Sequence, residues 1–122
     1  MILADTSVWI DHLRKGELTL VNLLQSSQIL IHPCVVGELA LGALQRRAVV
    51  LGELTNLPVT VVAEDDEVLR AIDRWRLFGI GIGYVDAHLL TATALTPGAS
   101  LWTRDKRLRE VAQRLHLDAG LS

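Results

Sequence analysis

Apolar positions along the chain fall into two patterns, short continuous runs and longer segments in which apolar residues recur every three or four positions. The short runs cover residues 2–4, 29–31, 59–62 and 101–103. They are too short for helices, and a run that is apolar throughout is typical of a parallel strand covered on both faces. The pattern therefore predicts four short parallel strands.

Helical spacing occupies the intervals between these runs, and Pro33, Pro58 and the pair Pro97-Gly98 interrupt it at the points where helices should begin or end. Strands that alternate with helices are typical of a parallel α/β sheet. We therefore expect one domain over residues 1–122, with helices on both faces of the sheet. The predicted helices cover residues 8–13, 17–25, 33–44, 46–56, 64–78, 85–95 and 105–115.

Four acidic residues occupy comparable places in this pattern. Asp5 ends the first run and Asp105 follows the fourth by two residues, whereas Glu38 and Asp86 lie near the starts of helices that follow a strand or a loop. In open α/β sheets, ligands bind outside the carboxyl ends of the strands. We expect the four carboxylates to share that rim. Each also has a simpler interpretation, as a helix cap or as an acid favoured by the helix dipole.

Four carboxylates on one rim would repel one another and raise one another's pKa unless cations neutralise them. Sites made only of oxygen ligands suit Mg²⁺ or Mn²⁺. Two such ions can hold the attacking and leaving oxygens of a phosphodiester and lower the pKa of a water molecule. If the acids do meet, metal-dependent phosphodiester hydrolysis is the predicted chemistry.

Twelve basic and fourteen acidic residues give a net charge of −2. An anionic substrate would therefore need a local basic patch or metal ions in order to bind. Basic residues cluster beside Asp105, and this cluster is the best candidate for contacts with phosphate groups. The alternative is a solvated face of the last helix. The cluster consists of Arg104, Lys106, Arg107 and Arg109.

Cys34 is the only cysteine, which excludes an internal disulfide and any zinc site built from several cysteines. The longest stretch without charged residues carries too many polar side chains for a membrane span. The amino terminus has no basic region ahead of its apolar residues, so it is unlike a secretory signal. We expect a cytoplasmic protein.

Half of the residues are hydrophobic, a high share for a chain of 122 residues with so much surface for its volume. The aliphatic run of residues 49–51, together with Trp75 and Phe78, would be hard for a monomer to cover. We therefore predict a homodimer.

The motifs around the four acids resemble those of the PIN-domain nucleases. They are residues 3–8 (LADTSV), the helix with Glu38, residues 84–90 (YVDAHLL) and residues 101–108 (LWTRDKRL). The length of the chain and the order of its elements resemble the VapC toxins of bacterial toxin–antitoxin pairs. The resemblance implies an endoribonuclease that acts as such a toxin, with Mg²⁺ or Mn²⁺ held by Asp5, Glu38, Asp86 and Asp105 and with Thr6, Ser7 and Thr103 as hydroxyl neighbours.

The same resemblance implies partners and one more strand. The family forms homodimers and binds a small VapB-like antitoxin, whose carboxyl-terminal segment lies over the active site. PIN domains usually end with a fifth strand, for which only residues 117–121 remain. The expected sheet therefore has four to five strands.

Two functions of other classes stay open. A receiver-like phosphoacceptor signalling domain also has acids at the rim of a parallel sheet, but it needs an acceptor aspartate after the third strand and a lysine after a later one. Here Ala63 leads into an acidic helix start, and Arg104 follows the fourth strand. The second alternative is a catalytically silent binding module with the PIN fold.

Overall fold

The computed structural model describes residues 1–122 and shows three strands and seven helices that alternate irregularly along the chain. In order, they are β1 Ile2–Ala4, α1 Thr6–Lys15, α2 Leu18–Gln25, β2 Ile29–Leu30, α3 Pro33–Ala40, α4 Arg47–Thr55, α5 Asp65–Arg74, α6 Tyr84–Leu95, β3 Ser100–Trp102 and α7 Lys106–Arg114. The predicted α/β class with a parallel sheet flanked by helices is confirmed.

β1 is the central strand of the sheet, with β2 on one side and β3 on the other, all parallel. The register places Leu3 opposite both Leu30 and Leu101. Because the strands are parallel, their carboxyl ends share one edge, and the backbone N–H of Asp5 donates to the carbonyl of Trp102 at 2.9 Å. Residues that directly follow β1 and β3 are therefore neighbours in space.

The strand predicted over residues 59–62 is wrong. Val59 forms a single parallel bridge with Ile31, and the N–H of Thr60 donates to the Ile31 carbonyl at 3.1 Å. The next N–H, that of Val61, donates instead to Thr96 Oγ1 at 2.9 Å. This side-chain bond to the end of α6 draws the chain away from the sheet after one bridge.

The other edge of the sheet is also shorter than expected. Asp118 forms one parallel bridge with Leu101, and the Ala119 N–H donates to the Leu101 carbonyl at 2.9 Å. The Asp118 carboxylate then accepts from the N–H of Gly120, whose φ of +74° lies in the left-handed region and turns the chain. The predicted sheet of four to five strands is thus a sheet of three.

The helix predicted as far as residue 78 ends at Arg74. Arg76 has a φ of +53°, and the N–H of Leu77 donates back to the Ile72 carbonyl at 2.9 Å. This six-to-one bond after a left-handed residue is the Schellman ending of a helix. It leaves the side chains of Arg76 and Phe78 exposed in the loop that follows.

The core lies around β1 and α6. Leu3, Leu90 and Leu101 are fully buried, and seven consecutive residues of α6, from Ala87 to Thr93, are buried on all sides of the helix. Because α6 is buried along most of its length, only its ends reach the surface, at Tyr84 and the half-buried Asp86 in the first turn and at Leu95 in the last. No helix has the length and apolar character needed to cross a membrane.

Candidate active site

Asp5 is the most buried of the four predicted acids, with 5% of its surface exposed. Its Oδ1 accepts hydrogen bonds from Ser7 Oγ at 2.5 Å and from the Val8 N–H at 3.3 Å. Its Oδ2 accepts from Thr103 Oγ1, also at 2.5 Å. Asp5 is therefore the N-cap of α1, as the simpler interpretation held, but the bond from Thr103 lies outside any capping arrangement and ties Asp5 to the end of β3.

Burial raises the pKa of the Asp5 carboxyl group, because the charged form loses solvation. The hydrogen bonds from Ser7, Thr103 and Val8 act in the opposite direction, since they favour the carboxylate. The two hydroxyl groups thus hold the carboxylate in one orientation and partly offset the cost of burying it.

Asp86 lies half-buried in the first turn of α6, where its Oδ2 accepts from the Gly83 N–H at 3.1 Å. Burial raises the pKa of Asp86, the Gly83 N–H lowers it, and the negative charges of Asp105, Asp5 and Glu38 raise it further. These four residues come from four different parts of the chain. The structure therefore brings the predicted acids close enough to interact electrostatically.

Glu38 and Asp105 are exposed. Thr6 Oγ1 donates to Glu38 Oε1 at 2.6 Å, and Asp105 Oδ1 accepts from the Leu108 N–H at 2.9 Å as the N-cap of α7. The Glu38 side chain reaches solvent at the wall of a groove that apolar side chains also line.

The four acids match a divalent cation in the chemistry of their donor atoms. In Glu38, Asp86 and Asp105 one carboxylate oxygen accepts a hydrogen bond from this chain, and the other has no partner. Free carboxylate oxygens are the ligands that Mg²⁺ and Mn²⁺ prefer. No three acidic, histidine or cysteine side chains converge closely enough to enclose an ion, so the donors share a rim without forming a closed cage.

The hydroxyl residues that the sequence placed beside the acids all contact one of them. Ser7 and Thr103 donate to Asp5, and Thr6 donates to Glu38. Thr103 also accepts from the backbone N–H of Asp105 at 3.0 Å. One buried hydroxyl group therefore connects two of the predicted acids.

Two of the four predicted RNA-binding cations are already engaged within the chain. The Arg104 guanidinium donates to Asp11 at 2.7 Å and to Glu17, and these bonds raise its pKa, with Glu17 the larger cause. Arg109 Nη2 donates to the Thr103 carbonyl at 2.8 Å. Lys106 and Arg107 are exposed and form no ion pair. Contacts of the four with RNA stay a prediction.

A network of side-chain hydrogen bonds beside the acids was not predicted from the sequence. Asp65 Oδ1 accepts from the Tyr84 hydroxyl at 2.8 Å and pairs with His88 Nε2 at 3.1 Å. Tyr84 and His88 are four positions apart, so the sequence could have predicted that they share a helix face. Nothing in the sequence indicated that their common partner is Asp65 on α5.

The profile of the PIN-domain family matches residues 2–114, a range that contains all four acids. The chain belongs to the PIN-domain family. This PIN domain is 55% identical over 109 residues to Ribonuclease VapC32 of Mycobacterium tuberculosis, both in strain CDC 1551 / Oshkosh and in strain ATCC 25618 / H37Rv. The match covers 89% of this chain and 88% of each relative. The predicted resemblance to VapC-type PIN nucleases is confirmed, and the receiver-like alternative is excluded.

Proposed function

We propose that this PIN domain is a metal-dependent endoribonuclease and the toxin of a toxin–antitoxin pair. The carrying observation is that four acids from four parts of the chain lie close enough to interact, so that the pKa of Asp86 is raised by burial and further by the charges of Asp105, Asp5 and Glu38. Such mutual repulsion persists only where cations or protons relieve it. The relatives named as ribonucleases support RNA as the substrate.

In this proposal Asp5, Glu38 and Asp86 hold Mg²⁺ or Mn²⁺, and Asp105 contributes to a second ion or acts through water. Divalent ions lower the pKa of an attacking water molecule and offset the charge that develops on the phosphodiester. The chain's own hydroxyl groups orient the ligands, Ser7 and Thr103 at Asp5. Ligand groups fixed in this way lose little freedom on binding metal.

The test compares RNA cleavage with Mg²⁺ or Mn²⁺ and with a chelator, in the wild type and in Asp5→Asn. Asparagine caps a helix about as well as aspartate, so the variant should fold. Cleavage should fall at least about a hundredfold, the usual scale for losing one electrostatic element of a transition-state clamp. Asp66→Asn, the same change at an exposed acid in the first turn of α5, is the control.

Cleavage by Asp5→Asn at the wild-type rate would show that the acidic rim is not the active site. A wild type that binds RNA without cleaving it, with either metal, would make the chain a silent binding module. Mapping the 5′ ends of cellular RNA after brief expression then identifies the sequence that is cleaved, which a metal centre acting on the backbone does not select by itself.

A VapB-like antitoxin is the proposed protein partner, and a groove beside Glu38 has the shape and character for it. The groove has a volume of about 560 Å³ and combines apolar side chains with one carboxylate, Glu38, and one guanidinium, Arg14. An apolar helix or strand segment would fit it. The residues that line it are Ile10, Leu13, Arg14, Glu38, Leu39, Gly42, Ala43, Leu44 and Gln45.

Ile10→Glu tests this assignment, because Ile10 is 43% exposed and lines the groove. The variant should cleave RNA as the wild type does, and co-expression of the cognate antitoxin should no longer relieve growth arrest. Leu18→Glu places the same charge at an exposed leucine on α2, outside the groove, and should still be neutralised. Equal relief of both variants would contradict the assignment.

The homodimer also stays a proposal. Of the residues that suggested it, Val49 and Phe78 are 45% and 63% exposed, whereas Val50, Leu51 and Trp75 pack partly against the core. In addition, Arg74 Cζ lies over the Trp75 ring, 5.8 Å from its centroid. Light scattering at micromolar concentration should give twice the mass of one 13.4 kDa chain. A mass of one chain would refute the dimer.

A further inference from the structure

A basic groove lies where the loop after α5 meets α7, apart from the groove beside Glu38. Its volume is about 430 Å³. Its charged side chains are three arginines and a single glutamate, so its formal charge is +2 in a chain whose net charge is −2. We refer to it as the arginine groove. The residues that line it are Arg76, Ile80, Arg107, Glu110, Val111 and Arg114.

The arginines of this groove have no carboxylate at ion-pair distance, Glu110 included. Their guanidinium groups form no hydrogen bond with the chain either. Arg104 is the contrast, since two acids neutralise it. Guanidinium groups that share a concave surface without internal partners attract an anion, and their planar donors suit phosphate oxygens.

The loop is shaped to admit Arg107. Gly81 has a φ of +85°, and a Cβ built there would lie 2.1 Å from Arg107 Nη1. The guanidinium therefore occupies the space that any other residue would fill. Gly79 also has a positive φ, of +72°, yet a Cβ there would meet nothing within 4 Å. Only the second glycine makes room for a cation.

The arginine groove adjoins the acidic rim through the loop before α6. A Cβ at Gly81 would touch Arg107, and the N–H of Gly83, two positions later, donates to the Asp86 carboxylate. Arg114 lies seven positions beyond Arg107 on α7, which is two helical turns, so the two arginines share a face about 10 Å apart. An extended chain that passes from Asp86 along this loop can meet both.

An exposed aromatic residue distinguishes a nucleic acid strand from an acidic peptide as the occupant. Phe78, between Arg76 and Ile80 in the loop, is 63% exposed, and Ile80 is 39% exposed. Single-stranded nucleic acids are bound by a positively charged groove combined with aromatic faces on which bases stack. An acidic peptide would need the cations but not the ring.

We propose that the arginine groove binds the phosphates of the single-stranded RNA that extends beyond the acidic rim, and that Phe78 stacks with one of its bases. The inference rests on the proposed function in taking RNA as the ligand. It assigns to Arg76, Arg114 and Phe78 a role in holding the substrate, whereas bond cleavage belongs to the acids.

Fluorescence anisotropy with a labelled single-stranded RNA of about 20 nucleotides, in chelator to prevent cleavage, measures affinity over a range of salt concentrations. The plot of log affinity against log salt has a slope of about −0.7 per phosphate contact. Arg76→Gln/Arg114→Gln should therefore flatten the slope by about 1.4 and weaken binding several-fold at low salt. Arg46→Gln/Arg70→Gln is the control, and Arg46 matches Arg76 in its positive φ.

Two further pairs test the groove without changing its charge. Gly81→Ala should displace Arg107 and flatten the slope, whereas Gly79→Ala carries only the backbone strain. Phe78→Ala should weaken binding several-fold with the slope unchanged, since stacking releases no counterions. Leu69→Ala, at an exposed apolar residue of α5, should bind as the wild type does.

The proposal would be overturned if Arg76→Gln/Arg114→Gln bound RNA with the same affinity and salt slope as the control double variant. A loss of antitoxin binding by Arg76→Gln/Arg114→Gln would not change that conclusion. Loss of affinity in Arg76→Gln/Arg114→Gln with no slope change would overturn it as well. Neither result touches the proposed function, which fails only if metal-dependent cleavage is absent or survives Asp5→Asn.

Discussion

Thr103 Oγ1 donates a 2.5 Å hydrogen bond to Asp5 Oδ2, across 98 positions of the sequence. The same oxygen accepts from the Asp105 N–H at 3.0 Å, and Thr103 is fully buried. One hydroxyl group therefore fixes an acid at the end of β1 and the backbone of another acid beyond β3. The orientation of the acidic rim depends on it.

Replacing Thr103 by valine should lower the free energy of unfolding by about 1–3 kcal/mol, the cost of leaving a buried acceptor without its donor. It should also raise the pKa of Asp5, since a hydrogen bond to the carboxylate is lost. Thr93→Val is the control, because Thr93 is equally buried but donates to the Leu89 carbonyl within its own helix. Urea unfolding of both variants measures the difference, and equal losses would contradict the special role of Thr103.

Asp86→Asn should stabilise the metal-free protein by about 1 kcal/mol at neutral pH, an estimate from close like charges at an effective dielectric near that of the protein surface. The sign follows from the raised pKa of Asp86, which disfavours the folded state wherever the carboxyl group is ionised. Millimolar Mg²⁺ should reverse the order, because the wild type binds it more tightly. Thermal melts with chelator and with Mg²⁺ test both signs, and an equal response to Mg²⁺ would contradict the metal site.

His32 should make the protein less stable in mild acid. Burial, with a smaller contribution from His88, lowers the pKa of His32 to about 4 from 6.5, and its Nδ1 accepts from the Cys34 N–H at 2.9 Å in the neutral form. The unfolded chain binds the proton first, so stability is full above pH 6.5 and is lost as pH falls through about 4, by on the order of 3 kcal/mol.

His32→Asn isolates this effect, because asparagine keeps an N-cap acceptor but does not titrate. Urea unfolding should be measured between about pH 7 and pH 4, the range over which histidine titrates. The free energy of unfolding should fall more steeply with pH in the wild type than in the variant. Parallel pH profiles would show that His32 does not control the acid response.

Arg104→Gln should destabilise the fold more than it affects RNA binding. The Arg104 guanidinium, just before α7, donates to Asp11 of α1 and to Glu17 before α2. It also donates to the Ser122 carbonyl at 3.0 Å. Unfolding should occur at a lower urea concentration, whereas the salt slope for RNA should stay that of the wild type. A flatter slope with unchanged stability would instead support the sequence-based assignment of Arg104 to phosphate contacts.

The sequence alone determined the fold class and the approximate positions of β1, β2 and β3, and it predicted four acids at the rim of the sheet. These follow from local pattern: continuous apolar runs too short for helices, and acids placed where runs end or helices begin. A carboxylate directly after a central parallel strand, such as Asp5, has few places to lie other than the rim of the sheet.

The tertiary structure alone decided which residues hold and surround those acids. The strand expected at Val59 fails because Thr96, 35 positions away from Val61, takes its N–H, and Arg104 pairs with acids of α1 and the α2 start. Such competition between partners distant in sequence leaves no local pattern. The arginine groove is of the same kind, because Arg76 and Arg114 are 38 positions apart and become neighbours only when α7 packs beside the loop after α5.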